Sequence, residues 1–390
     1  MYNKFSSQPH QPFFAAGILF LITFLLILAL DYSNIITLNH SISNFHSYPM
    51  INLIFIQFFL GFLFVTFPKF LTQAAVPIKT YMNHFFLFFT GGIVYIVSLF
   101  TSTELNQLAI IILILAGLTS FITLFKIYRK SVVTNKHDTT WILVAFGFGI
   151  IANILFFISS FGFHIVETFS IHMGFYLFLF GLIFSISQRM IPFFSSVKVP
   201  GYKINKSKYL LEIVFSLLTF KVISLSLQND IFSFLIDLSL FSFFTYEIIK
   251  WKLPVFKVTA IMWVLYLALF WIPFGFFISL LESSSNLFDL GFVFEKSALH
   301  TLAIGYFATV LLGFGTRVVL GHSGRTPTAD ILTIIIFVTV QAIVLLRIFT
   351  GLSLNWNFDY TFWIIASATL LSFGLIVWSF KYLKILVSGA

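Results

Sequence analysis

Twelve apolar runs, each about as long as a lipid bilayer is thick, leave this chain little choice of fold. A helix rises ~1.5 Å per residue, so a hydrocarbon layer of roughly 30 Å takes about 20 residues to cross. Runs of that kind fall near residues 13–30, 51–68, 84–101, 107–126, 140–160, 171–191, 209–227, 231–249, 257–280, 297–317, 330–350 and 360–380. They are read as spanning helices by length and apolar content. Only 9% of the 390 residues are charged, against about 25% in soluble domains. The expected fold is all-α, a polytopic transmembrane helical bundle forming a single integral-membrane domain over residues 1–390. Several turns are short, which favours antiparallel neighbours.

Charge placement sets an orientation. Lys4, Lys69, Lys79, the segment Lys126 to Lys136, the segment Arg189 to Lys208, Lys250 to Lys257, Arg317 with Arg325, and Lys381 with Lys384 share one side. Asp31, Glu104, Glu167, Asp230, Glu282, Asp289, Glu295 and Asp359 share the other. The positive-inside rule then makes both termini cytoplasmic. The net charge of +9 sits in loops and signals topology rather than nucleic acid. The opening segment has a single basic residue, Lys4, and no small-residue cleavage site after the first run, so it reads as a retained span. With no cysteine, disulfides, iron–sulfur clusters and thiolate ligands are excluded.

The histidines carry the chemistry. His46 precedes the second run, His172 opens the sixth and His300 opens the tenth, all expected a turn or so from the outer surface. One histidine at a helix end is more often an interfacial polar residue. Three at one expected depth are what a planar cofactor or a metal held between helices requires. Tyr176 follows His172 at i+4, which places a phenol on the same helical face. His10, His40, His137 and His164 have no such pattern. At the other end of the tenth run stand Arg317, His322 and Arg325, with Arg189 ending the sixth. Guanidinium forks and glycine N–H groups there suit either an anion or propionate site, or a basic anchor on a tight turn. Two charges fall inside runs, Lys221 and Asp237, and are expected to form a structural ion pair, with a proton path as the alternative.

Four segments of the chain resemble the NnrS family of bacterial membrane proteins. His10-Gln11-Pro12-Phe13-Phe14 is similar to an R-P-F-F start, and Phe45-His46-Ser47-Tyr48-Pro49-Met50 to W-H-x-H-E-M. Arg189-Met190-Ile191-Pro192-Phe193-Phe194 is similar to the end of H…G-G-R-x-I-P-x-F. Thr316-Arg317 with Leu320-Gly321-His322-Ser323-Gly324-Arg325 is similar to T-R-x-x-L-G-H-T-G-R. The departures are Gln11 for an arginine, Tyr48 for a second histidine, Pro49 for an acid, and Gln188 within the glycine pair.

The resemblance implies a multi-pass protein of the bacterial inner membrane that holds b-type haem, with copper as a further metal. His46, His172 and His300 would be the metal-ligand candidates, and Tyr176, Arg189, Arg317, His322 and Arg325 further cofactor-binding residues. The implied role is handling nitric oxide or resisting nitrosative stress, with nitric oxide or another small gas as ligand, an electron donor not identified by sequence, and membrane lipid as surroundings. A second, distant similarity is to subunit I of haem–copper oxidases, through outer histidines on the second, sixth and tenth spans and His-x-x-x-Tyr on the sixth. The paired histidines of that family's seventh span and the His-x-His of its tenth are absent here. Two readings without a redox cofactor stay open: a twelve-span permease, suited by Lys221, Asp237 and the glycines of the tenth run, and a non-catalytic assembly or regulatory factor.

Overall fold

The computed structural model describes residues 5–38 and 40–388. Lys4 and the side chain of His164 lie outside what it describes. Among the described residues the regular elements are helices, with no strand. Twelve are long and apolar enough to cross a membrane: α1 His10–Tyr32, α2 Ser43–Phe70, α3 Ile78–Ser98, α4 Thr103–Lys130, α5 His137–Ser159, α6 Ile165–Lys198, α7 Leu210–Leu227, α8 Asp230–Trp251, α9 Ala260–Leu287, α10 Ser297–His322, α11 Ile331–Trp356 and α12 Tyr360–Val387. Each covers one run read from the sequence. The protein is a multi-pass, all-helical membrane protein.

The differences lie at the ends. α2 begins at Ser43 rather than near residue 51, so His46 is inside the helix and not before it. Pro49 sits in helical backbone (φ −65°, ψ −34°) between two π-helical turns, Ser43–Ser47 and Met50–Phe55. Proline offers no N–H and crowds the carbonyl four residues back, and the wider π turns on both sides accommodate it. α6 likewise starts before residue 171, leaving His172 inside. At the far end of α10 the helix runs through Gly321 and His322. Gly324 (φ +74°) turns the chain out, with Arg325 N–H donating to Leu320 O at 3.0 Å. Ser323-Gly324-Arg325 is therefore first of all a glycine helix stop.

The chain divides into two compact units, Met1–Ile186 with Ser379–Ala390, and Ser187–Trp378. In the first, α1 packs on α2, α3 on α4, and α5 on both α4 and α6. Phe13 anchors that core, its ring 5.7 Å from Phe64 and 5.8 Å from Phe85. In the second, α8 and α9 pair closely and α9 packs along α10. Phe244 stacks on Phe276 there at 5.2 Å. The expected Lys221–Asp237 pair is formed, with Nζ 2.6 Å from Oδ1 and both side chains buried.

Candidate functional site

In the first unit, His46 and Tyr176 lie in π-helical turns, and His172 lies two residues before one, Gly174–Phe180. The helices that bear them pack directly. A Cβ added at Gly174 would come 3.0 Å from Ile51 Cγ2, so the glycine permits the close approach of α6 to α2. Ser41 Oγ, just ahead of α2, also donates to Glu167 Oε1 of α6 at 3.2 Å. Both imidazoles are half-buried, and Tyr176 is buried beside Phe175. Because residues 174–180 wind as a π-helix, hydrogen bonds there run i to i+5, and the i+4 spacing of an ideal α-helix does not describe that face.

A polar network holds the His46 turn. The Tyr95 hydroxyl is 2.7 Å from the backbone oxygen of Asn44 and 2.6 Å from its Oδ1. Asn44 and Asn106 exchange amide hydrogen bonds, and Asn106 Nδ2 also donates to Ser98 Oγ at 3.0 Å. Tyr48, which stands where the resemblance expects a second histidine, is fully buried between Tyr95 (5.2 Å) and Phe156 (4.3 Å). Its hydroxyl donates to Asn153 Oδ1 at 2.8 Å. The tyrosine at this position serves as a structural stack. Asn153 and Asn52 also border a cavity otherwise walled by apolar side chains such as Phe88, Leu113, Phe146 and Phe178.

In the second unit, His300 is the last residue before the π-helical turn Thr301–Ala308. Its Nδ1 is 3.0 Å from the carbonyl of Lys296, and its Nε2 is 3.4 Å from Arg347 Nη2 on α11. A carbonyl only accepts and a guanidinium only donates. The two contacts together match an imidazole that donates from Nδ1 to Lys296 O and accepts at Nε2 from Arg347. A metal-ligating imidazole commonly has such a backbone carbonyl behind it. The π turn is held by a chain of polar contacts. Thr309 Oγ1 donates to Ile304 O at 3.1 Å, Gln341 Nε2 donates to Thr309 Oγ1 at 3.2 Å, and Trp271 Nε1 donates to Gln341 Oε1. Sequence reasoning passed over Arg347 because it weighed arginines in loops. The available signal was an arginine inside an apolar run.

The basic residues at the other end of α10 are dispersed in role. Arg317 lays its guanidinium over Phe194, 3.9 Å from the ring centroid, with Nη1 3.7 Å from Met262 Sδ. The two motifs most similar to the family, at the ends of α6 and α10, thus interlock through a cation–π contact. Thr316 accepts from Trp378 Nε1 at 3.0 Å. Arg189 is half-buried, whereas His322 and Arg325 are exposed. Gln188 is buried, with Lys206 donating to its side-chain oxygen. Gln11 accepts from Ser7 Oγ at 2.7 Å and Gln8 N at 3.0 Å at the start of α1.

Among the described residues, no group of three or more His, Asp or Glu side chains gathers closely enough to hold a metal ion. Axial ligation of haem asks for one or two imidazoles, and the candidates for it are His46, His172 and His300.

A search of curated proteins returns no match. The family model described as NnrS protein matches residues 4–389, nearly the whole chain. This chain is a member of the NnrS family.

Proposed function

We propose that this NnrS-family protein binds b-type haem through imidazoles drawn from His46, His172 and His300, and handles nitric oxide in the inner membrane of a bacterium. One observation carries the reading. Among the described residues, π-helical turns occur only in α2, α6 and α10, the three helices that bear those histidines, with His46 inside one, His172 two residues before another and His300 next to a third. Such turns cost regular hydrogen bonding and recur at functional sites, because the extra residue re-aims a side chain. The contact of His300 Nδ1 with a backbone carbonyl, the support that a ligating imidazole commonly has, favours it further.

When bound, haem supplies an iron centre that takes a diatomic ligand or an electron. The chain's own contribution is holding. Lys296 O fixes the imidazole of His300, and the network around Asn44 fixes the turn of His46. In the test, protein purified from haem-replete cells is reduced and exposed to nitric oxide. A haemochrome spectrum and a Soret band displaced by nitric oxide are expected. Colourless protein without haem contradicts the proposal.

A further inference from the structure

The second π turn of α2, Met50–Phe55, contains no histidine. It carries Asn52, which lines the cavity where α2, α3, α4, α5 and α6 of the first unit meet. Ile56, Phe88, Phe146 and Phe178 wall that space, and Asn52 and Asn153 are its polar side chains. Both asparagines are more than nine-tenths buried. Asn153 Oδ1 accepts from the Tyr48 hydroxyl at 2.8 Å. Among the described residues its Nδ2 donates to no protein group, and the Asn52 carboxamide makes no hydrogen bond to protein at all. A buried amide without a partner is costly, and a small molecule that pairs with it relieves the cost.

The walls decide what reaches those amides. The half-buried lining residues are Ile114 and Gly117 of α4 and Ile150 of α5, so the cavity opens between these two helices. The exposed side chains beside the opening, Leu115, Ile151 and Ile154, are apolar. Gly117 lies near the middle of Thr103–Lys130, which puts the opening deep in the bilayer. A Cβ added at Gly117 would meet nothing within 4 Å, whereas one at Gly149 would come 2.6 Å from Phe178 on the closed side. The space leaves about 20 Å³ for the centre of a water-sized molecule, which suits one very small molecule and neither a lipid chain nor a porphyrin. The matching ligand is neutral, soluble in hydrocarbon, a few atoms in size, and has an atom that accepts from an amide N–H.

We infer that this cavity is a docking site for a neutral diatomic gas, which enters from the bilayer between α4 and α5 and accepts hydrogen bonds from Asn52 and Asn153. That the gas is nitric oxide rests on the function proposed above; the docking itself requires no haem.

The test is an NMR titration of the protein in nanodiscs with carbon monoxide, following the side-chain amides of isotope-labelled asparagine. The protein is kept oxidised, because ferric haem does not take carbon monoxide. Asn52 and Asn153 are expected to shift along a saturating curve, while Asn44 and Asn106, whose amides bond to each other, stay in place. Gly117→Met lays a side chain across the opening and should abolish the saturable shifts. Asn52→Leu, a change of similar volume, should abolish the shift left at Asn153. No shift in wild type (a resident water only), shifts that rise without saturation at all four asparagines, or saturation unchanged in both variants overturns the proposal. Protein that lacks haem and still shows the saturable shifts would end the haem reading and leave this site standing.

Discussion

The turn that carries His46 and the turn that carries His300 are both π-helical, yet they are held in opposite ways. Around His46 the surroundings are over-determined: Asn44, Asn106, Ser98 and Tyr95 share hydrogen bonds, and Tyr48 is wedged between two rings. Around His300 the imidazole has one carbonyl behind it and one guanidinium in front, and the helix is pinned a turn or two further on by Thr309, Gln341 and Trp271. Removing one polar partner near His46 leaves others in place. Near His300, the single guanidinium shields the lone pair a ligand would use. The first turn is held by many contacts, the second imidazole by two.

That contrast can be broken most forcefully at Tyr48. Emptying the space between Tyr95 and Phe156 with Tyr48→Ala is expected to cost about 3–5 kcal/mol, read as a large fall in thermal midpoint in detergent. Tyr48→Phe, which strands only the Asn153 amide, should cost about 1–3 kcal/mol. Equal effects would mean that the stack contributes nothing. Next in size is Arg347→Gln. Groups behind or beside a ligating imidazole typically change ligand affinity by about 10–100-fold, so haem titration of the variant is expected to move by that order, with the thermal midpoint nearly constant. Affinity matching wild type would remove Arg347 from the site.

Gly174→Ala probes the approach of α6 to α2. Its Cβ would press on Ile51 Cγ2 at 3.0 Å, a clash expected to cost about 1–3 kcal/mol. Ile51→Val should relieve part of it in the double variant. Lack of rescue would show that the strain falls elsewhere. The smallest effect is expected at Arg317→Lys. A compact ammonium stacks less well over Phe194 than a planar guanidinium, a loss of about 0.5–1 kcal/mol. A loss of haem instead of stability would revive the anion-site reading of that end of α10.

Most of the architecture was legible because hydropathy sums over some twenty residues, and such sums tolerate local error. The helix starts were not. Ser43-Asn44-Phe45-His46 reads as loop because its polar residues find their partners only in the folded unit, on Tyr95 and Asn106, which are distant in sequence. The π turns leave no mark in an α-periodic reading, since one extra residue per turn looks like ordinary apolar sequence. His46, His172 and His300 could be singled out from position within a run, and the Lys221–Asp237 pair from charge inside lipid. Arg347 as the partner of His300 could not, because the contact joins two helices. The anchoring of Arg317 on Phe194 likewise depends on where α6 ends against α10.

The account stands on imidazoles drawn from His46, His172 and His300 acting as haem ligands, and haem occupancy of single variants tests this most directly. Wild type, His46→Ala, His172→Ala, His300→Ala and the control His137→Ala would be purified in parallel from haem-replete cells and assayed by pyridine haemochrome and reduced-minus-oxidised spectra. The account predicts haem in wild type and in the control, near-complete loss in His300→Ala, and loss or altered axial ligation in His46→Ala or His172→Ala. Full occupancy with unchanged spectra in all three π-turn variants, or no haem in wild type, would contradict it.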